Sequence, residues 1–93
     1  MTYRLELAST ARRDWRGLTP ETQRRLAPAI DALVGAPRPP GVTALKGKLR
    51  GMLRLRVGDW RIVYQVDDHT KTVVITEIAH RGKVYERAGR RGD

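Results

Sequence analysis

Arginine is the residue type in this sequence with both the number and the spacing to do chemistry. Arg54, Arg56 and Arg61 fall within one short stretch, and His80, Arg81 and Tyr85 follow an apolar run. Guanidinium groups grip phosphate oxygens bidentately and stay charged, with a pKa above ~12, so they act as clamps rather than bases. A His or a Tyr hydroxyl can move a proton. These are parts for metal-free cleavage of RNA, in which a 2′-hydroxyl attacks the adjacent phosphate in line. A protein doing this must hold the geometry, take one proton, supply another and stabilise the crowded phosphate.

Each of these residues also has an ordinary use. Tyr85 can be a half-buried aromatic anchor, and His80 a solvated strand-end residue. Arg54, Arg56 and Arg61 can be a solvated cationic face. Trp15 reads as core, and Trp60 is open between core and surface. Other chemistries find little support. The acids are scattered, His69 and His80 are far apart in sequence, and Asp67-Asp68 reads as turn chemistry, so no metal is expected. Gly47 and Gly51 do not lead into a phosphate-binding GK[ST] loop, and the lone serine, Ser9, sits at a helix start. No cofactor is expected.

Charge points the same way as the arginines. Nineteen Lys and Arg against ten Asp and Glu give a net charge of +9, which invites nucleic acid, an acidic protein or an anionic membrane. Lys46, Lys48, Arg50, Arg54, Arg56 and Arg61 form a run broken by one acid, Asp59. No apolar stretch approaches the ~20 residues of a membrane span. Arg4, Glu6, Arg12 and Arg13 interrupt any signal-like run. With no cysteine there is neither a disulfide nor a thiolate site. The expected compartment is the cytoplasm, with no membrane partner.

The elements that must position these residues follow from periodicity. Residues 3–7 alternate apolar and polar, a short strand. Ser9 or Thr10 is the expected cap of a helix carrying Ala11, Trp15 and Leu18, ended by Gly17. Thr19-Pro20-Glu21 starts a second helix with an apolar stripe of Leu26, Ala29, Ile30, Leu33 and Val34. Pro28 predicts a kink rather than a break, and Gly35 a C-cap. Residues 36–41 read as a stiff Pro-rich connector within one domain.

Leu53, Leu55 and Val57 then alternate with Arg54 and Arg56, and Gly58-Asp59 signals a tight hairpin. The return strand, 60–66, puts Ile62, Tyr64 and Val66 on one face and Arg61 and Gln65 on the other. A turn at 67–71 leads to a third strand, 72–79. If the apolar set packs on the helices, Arg54 and Arg56 project from the opposite face. The expected fold is α+β, in the order β-α-α-β-β-β, with a short C-terminal helix or tail. The domain is expected over 1–87, with 88–93 as a flexible basic tail.

Three segments carry a resemblance. Residues 45–51 (LKGKLRG), 54–64 (RLRVGDWRIVY) and 80–85 (HRGKVY) resemble the RelE/ParE superfamily of toxin–antitoxin toxins, most closely its RelE branch. The likeness runs over about residues 2 to 87. It implies a ribosome-dependent mRNA endoribonuclease that cuts in the ribosomal A site without metal and inhibits translation. By position, Arg54 takes a basic active-site place, Arg61 clamps the scissile phosphate and Arg81 stabilises the transition state. Tyr85 is the tyrosine of proton transfer or base stacking, with His80 beside this set. Lys46, Lys48, Arg50, Arg56 and Lys83 grip RNA or ribosome. The resemblance further implies a cognate antitoxin whose acidic, amphipathic segment wraps the toxin.

The sequence departs from some active relatives at Met52, where they carry lysine, and at Leu53, where many carry an aromatic residue. The link from His80-Arg81 to Tyr85 is also shorter than in some members. Two other readings remain open: a non-enzymatic toxin that binds DNA gyrase, like the ParE branch, and a catalytically weak RNA-binding relative.

Overall fold

The N-terminal strand β1 (Arg4–Leu7) is short because the chain turns directly from it into helix α1 (Ser9–Arg16). The computed structural model describes residues 2–80. Arg81, Lys83, Tyr85, the tail 88–93 and the expected C-terminal helix or tail therefore lie outside the described residues. The N-cap of α1 is Ala8, with no side-chain cap, in place of the expected Ser9 or Thr10. The Ala8 N–H donates to the Ile75 carbonyl at 2.8 Å, so strand pairing persists to the residue before the helix and fixes where it starts. Gly17 closes α1.

Helix α2 (Pro20–Ala32) begins as its sequence dictates. The Thr19 hydroxyl accepts from the Thr22 N–H at 3.2 Å, and Pro20 occupies the first turn, where no donor is needed. The helix runs through Pro28 as one element. It ends at Leu33 rather than through a left-handed Gly35. Leu33, Val34 and Gly35 each donate to the carbonyl three residues back, at 3.1–3.3 Å, so the last turn tightens and winds down.

Four further strands complete a five-stranded sheet in the order β1-β5-β4-β3-β2. They are β2 (Thr43–Ala44), β3 (Leu53–Val57), β4 (Trp60–Asp67) and β5 (Thr72–His80). β2 is a two-residue edge strand that the periodicity did not reveal. β3, β4 and β5 are antiparallel neighbours, as the two tight turns demand. β1 lies parallel to β5, which makes the sheet mixed. Gly58 has φ +59 while Asp59 is outside the positive-φ region, so the β3–β4 turn depends on its glycine.

One face of the sheet packs under the helices. Ala11, Leu26, Ile30 and Leu33 meet Ile62, Tyr64, Val73, Ile75 and Ile78 in the main core. The Pro-rich connector is fastened to this body at two points. The Tyr64 hydroxyl donates to the Pro37 carbonyl at 2.6 Å, and the Arg38 guanidinium grips both Asp68 oxygens at 3.0 and 3.3 Å. Asp68 also accepts from the Tyr3 hydroxyl at 2.6 Å. Asp67 does the turn work: its Oδ1 accepts from the His69 and Thr70 N–H groups.

Candidate nucleic-acid interface

The register of β3 on β4 decides where the arginines go. Arg54 pairs with Val63, and Arg56 pairs with Arg61. Leu53, Leu55 and Val57 pair with Tyr64, Ile62 and Trp60 on the helix side. Alternation therefore sends Arg54, Arg56 and Arg61 to the face away from the helices. That face is not purely polar, because Val63 and Ala79 are buried there with Leu45 and Met52 packed against them. The arginine stems thus stand on a small apolar floor.

The three arginines differ in freedom. Arg56 is exposed and Arg54 half-buried, with Nη2 at 3.5 Å from the Thr43 hydroxyl of the edge strand. Arg61 is 7% exposed, and its Nη1 donates to the Gly58 and Trp60 carbonyls at 3.4 and 3.3 Å. These are contacts to neutral acceptors, so the Arg61 charge is held in place by the hairpin turn. Lys46, Lys48 and Arg50 are exposed in the segment leading to β3, where a 3₁₀ turn spans Gly47–Leu49.

A buried carboxylate shares the arginine face, and sequence reasoning missed it. Glu77 is 2% exposed and pairs with Val63, which in turn pairs with Arg54. Arg61, two residues before Val63, is its diagonal neighbour on the same face. A β-bulge puts Glu77 there. The β4–β5 register shifts between Val63 and Tyr64, which pair with Glu77 and Ile75 and leave Thr76 as the extra residue. Strict alternation along β5 would have turned Glu77 towards the helices and Ile78 outward. The one sequence signal was a lone acid inside a strand of mainly apolar and β-branched residues.

Beyond the bulge α1 takes over from β1 as the neighbour of β5. The Ile78 N–H donates to Asp14 Oδ2 at 3.0 Å, where β1 has already ended. His80 falls on the opposite face from the arginines. It pairs with Trp60 and stands edge-on to its ring, with centroids 5.4 Å apart. Trp60 itself is half-buried against the main core, as is Trp15. The structure thus brings Arg54, Arg56 and Arg61 together and sets His80 at the rim of the same sheet end.

Between β1 and the helices runs a shallow apolar groove lined by Leu5, Leu7, Trp15, Ala27 and Ile30, with Asp31 at its edge. Among the described residues no group of three or more His, Cys, Asp or Glu side chains is placed to hold a metal ion. No helix among them is long and apolar enough to cross a membrane.

Comparison with known proteins agrees with this architecture. The family model for the ParE toxin of the type II toxin–antitoxin system parDE matches residues 5–85. Toxin RelG of Mycobacterium tuberculosis is 36% identical over 90 residues, covering 94% of this chain and 100% of the relative. In the crystal structure of the RelBE2 toxin–antitoxin complex from the same organism, a chain 32% identical superposes with a TM-score of 0.77, over 87% of this chain and 100% of that one. The archaeal RelE–RelB complex of Pyrococcus horikoshii contains a chain 29% identical with a TM-score of 0.75, over 89% of this chain and 99% of that one. The isolated E. coli RelE toxin is 25% identical with a TM-score of 0.73, over 96% of this chain and 97% of that one. The chain belongs to the RelE/ParE superfamily of type II toxin–antitoxin toxins, with its named relatives among the RelG and RelE toxins.

Proposed function

We propose that this toxin is a metal-independent, ribosome-dependent mRNA endoribonuclease that acts in the A site and stops translation. The observation that carries the reading is the placement of Arg54, Arg56 and Arg61 on one sheet face, opposite the helices. RNA supplies its own nucleophile. The 2′-hydroxyl loses its proton and attacks the adjacent phosphorus, the P–O5′ bond breaks, and the leaving oxygen takes a proton. The products are a 2′,3′-cyclic phosphate and a 5′-hydroxyl end.

In this account Arg61 clamps the scissile phosphate, already oriented by the Gly58 and Trp60 carbonyls. Arg54 assists from the neighbouring row. Positioned guanidiniums stabilise the extra charge of the phosphorane-like transition state. Arg81 and Tyr85 supply further charge and a proton-moving hydroxyl, His80 is a further candidate for moving a proton, and Lys46, Lys48, Arg50, Arg56 and Lys83 hold RNA or ribosome. The working domain spans 1–87 in the cytoplasm.

The partner is a cognate antitoxin. Several similar structures are toxin–antitoxin complexes. A net charge of +9 favours an acidic partner, and the groove at Leu5, Leu7 and Trp15 offers a seat for apolar side chains of an amphipathic segment.

Addition of the purified toxin to a reconstituted translation system tests the proposal. Truncated mRNA ending at A-site codons supports it. The match to the ParE model favours one rival, gyrase binding. Loss of supercoiling activity with intact mRNA would replace the nuclease reading by that one.

A further inference from the structure

Gly58 has arginines on two sides. A methyl group placed on its Cα would come within 2.6 Å of Arg25 Nη2 and 3.3 Å of Arg25 Cζ, so the Arg25 guanidinium of α2 lies directly against the hairpin tip. From the other side Arg61 Nη1 donates to the Gly58 carbonyl. Arg56 stands opposite Arg61, on the face away from the helices. Guanidiniums from α2 and β4 thus flank the turn, and Arg56 of β3 is the cross-strand neighbour of Arg61 at its base. The acid at this tip, Asp59, is exposed, and neither Arg25 nor Arg56 is paired with a carboxylate among the described residues.

Arg25 and Arg56 thus carry charge that no described carboxylate offsets, and an anion held at the tip would offset it. A membrane surface would want a broad, flat patch. The tip is a narrow edge, with cations on both sides, and fits a thin polyanionic strand crossing it. We propose that Arg25 is a further RNA-binding residue. With Arg56 it forms a phosphate clamp at the β3–β4 tip, gripping the strand next to the phosphate held by Arg61. The clamp rests on the nuclease reading only in taking RNA as the polyanion.

The test is binding of the full chain to a single-stranded 2′-O-methyl RNA, which cannot be cut because its nucleophile is blocked. Each phosphate contact contributes about 0.7 to the slope of log affinity against log salt for single strands. Arg25→Ala is expected to make the slope shallower by ~0.7, and Arg25→Lys to restore it. Lys71→Asn removes one charge at the opposite turn, where the backbone has φ +56 and Asn is tolerated, and should leave the slope unchanged. Circular dichroism shows that each variant is folded.

An unchanged slope in Arg25→Ala, with a shallower one in Arg56→Ala, overturns the clamp and leaves the nuclease reading standing. Equal losses in Arg25→Ala and Lys71→Asn overturn it too, since net charge alone would then account for both. Arg25→Ala that weakens antitoxin binding but not RNA binding assigns the residue to a protein contact instead. A slope change without any mRNA cleavage on ribosomes supports the clamp while overturning the nuclease.

Discussion

Arg56 lies directly opposite Arg61 across the β3–β4 ladder, so two cationic side chains leave the same face of the sheet side by side. Like charges in directly opposed positions destabilise a sheet by about 0.2–1 kcal/mol. Under the proposed function, the compensating gain from keeping such a pair is phosphate binding. Arg56→Thr should therefore stabilise the free protein by up to ~1 kcal/mol, because Thr suits a strand and ends the repulsion. The same variant should bind RNA more weakly. Urea denaturation and an RNA titration on one preparation would show both changes; a loss of stability would contradict the repulsion.

Glu77 makes the opposite prediction. Its carboxylate is 2% exposed on the arginine face, and a buried charge persists only with compensation. Glu77→Ala should cost about 3 kcal/mol, since breaking a buried charge arrangement leaves the remaining charges uncompensated. Glu77→Gln keeps the shape and should cost less. Thermal melts compare the two; equal melting temperatures for Glu77→Ala and wild type would mean that this carboxylate does not hold the arginine face together.

Asp14 substitutes for a strand. Its Oδ2 accepts the Ile78 N–H beyond the end of β1. Asp14→Ala leaves that donor unsatisfied, at a cost of about 1–3 kcal/mol. Amide exchange at Ile78 should accelerate more than at Val73, which lies beside β1. Uniform acceleration along β5 would argue for a general loosening instead.

Much of this arrangement was legible in the sequence, and the reasons are local. The Gly58-Asp59 turn and the alternation of Leu53, Leu55 and Val57 with two arginines define a hairpin and its faces from adjacent residues alone. Thr19-Pro20 likewise states a helix start. The rest depends on contacts between distant parts of the chain. The parallel pairing of β1 with β5 is set by the shared core, and the two-residue β2 exists because β3 offers it an edge. The bulge at Thr76 reverses the phase of β5, so period two alone misplaces Glu77, Ile78, Ala79 and His80. The sequence groups His80 with the arginines, whereas its side chain stands against Trp60 on the other face.

The acid and alkaline limits of stability should have separate origins. Arg38 holds the Asp68 carboxyl below its ordinary value of 3.8, and the Thr70 N–H does the same for Asp67. A carboxyl with a depressed folded value adds stability above its unfolded value and loses it as pH falls through the folded one. Stability should drop below about pH 4, and Asp68→Asn should blunt that drop. Burial pushes the Tyr64 hydroxyl up from 10.0 to about 12. A raised folded value adds stability that is lost as pH rises from the unfolded towards the folded value. Tyr64→Phe should flatten this alkaline loss, and at neutral pH cost about 1 kcal/mol by removing the donor to Pro37. Urea midpoints across pH would reveal either limit; a Tyr64→Phe variant with the wild-type alkaline profile would contradict the assignment.

The central claim is tested most directly by primer-extension mapping of an mRNA on programmed bacterial ribosomes, with wild-type toxin and with folded Arg61→Ala. Cuts at A-site codons that require ribosomes, and that fade in Arg61→Ala, are the predicted result. Intact mRNA at every concentration of folded wild-type toxin, or undiminished cutting by Arg61→Ala, would contradict the account.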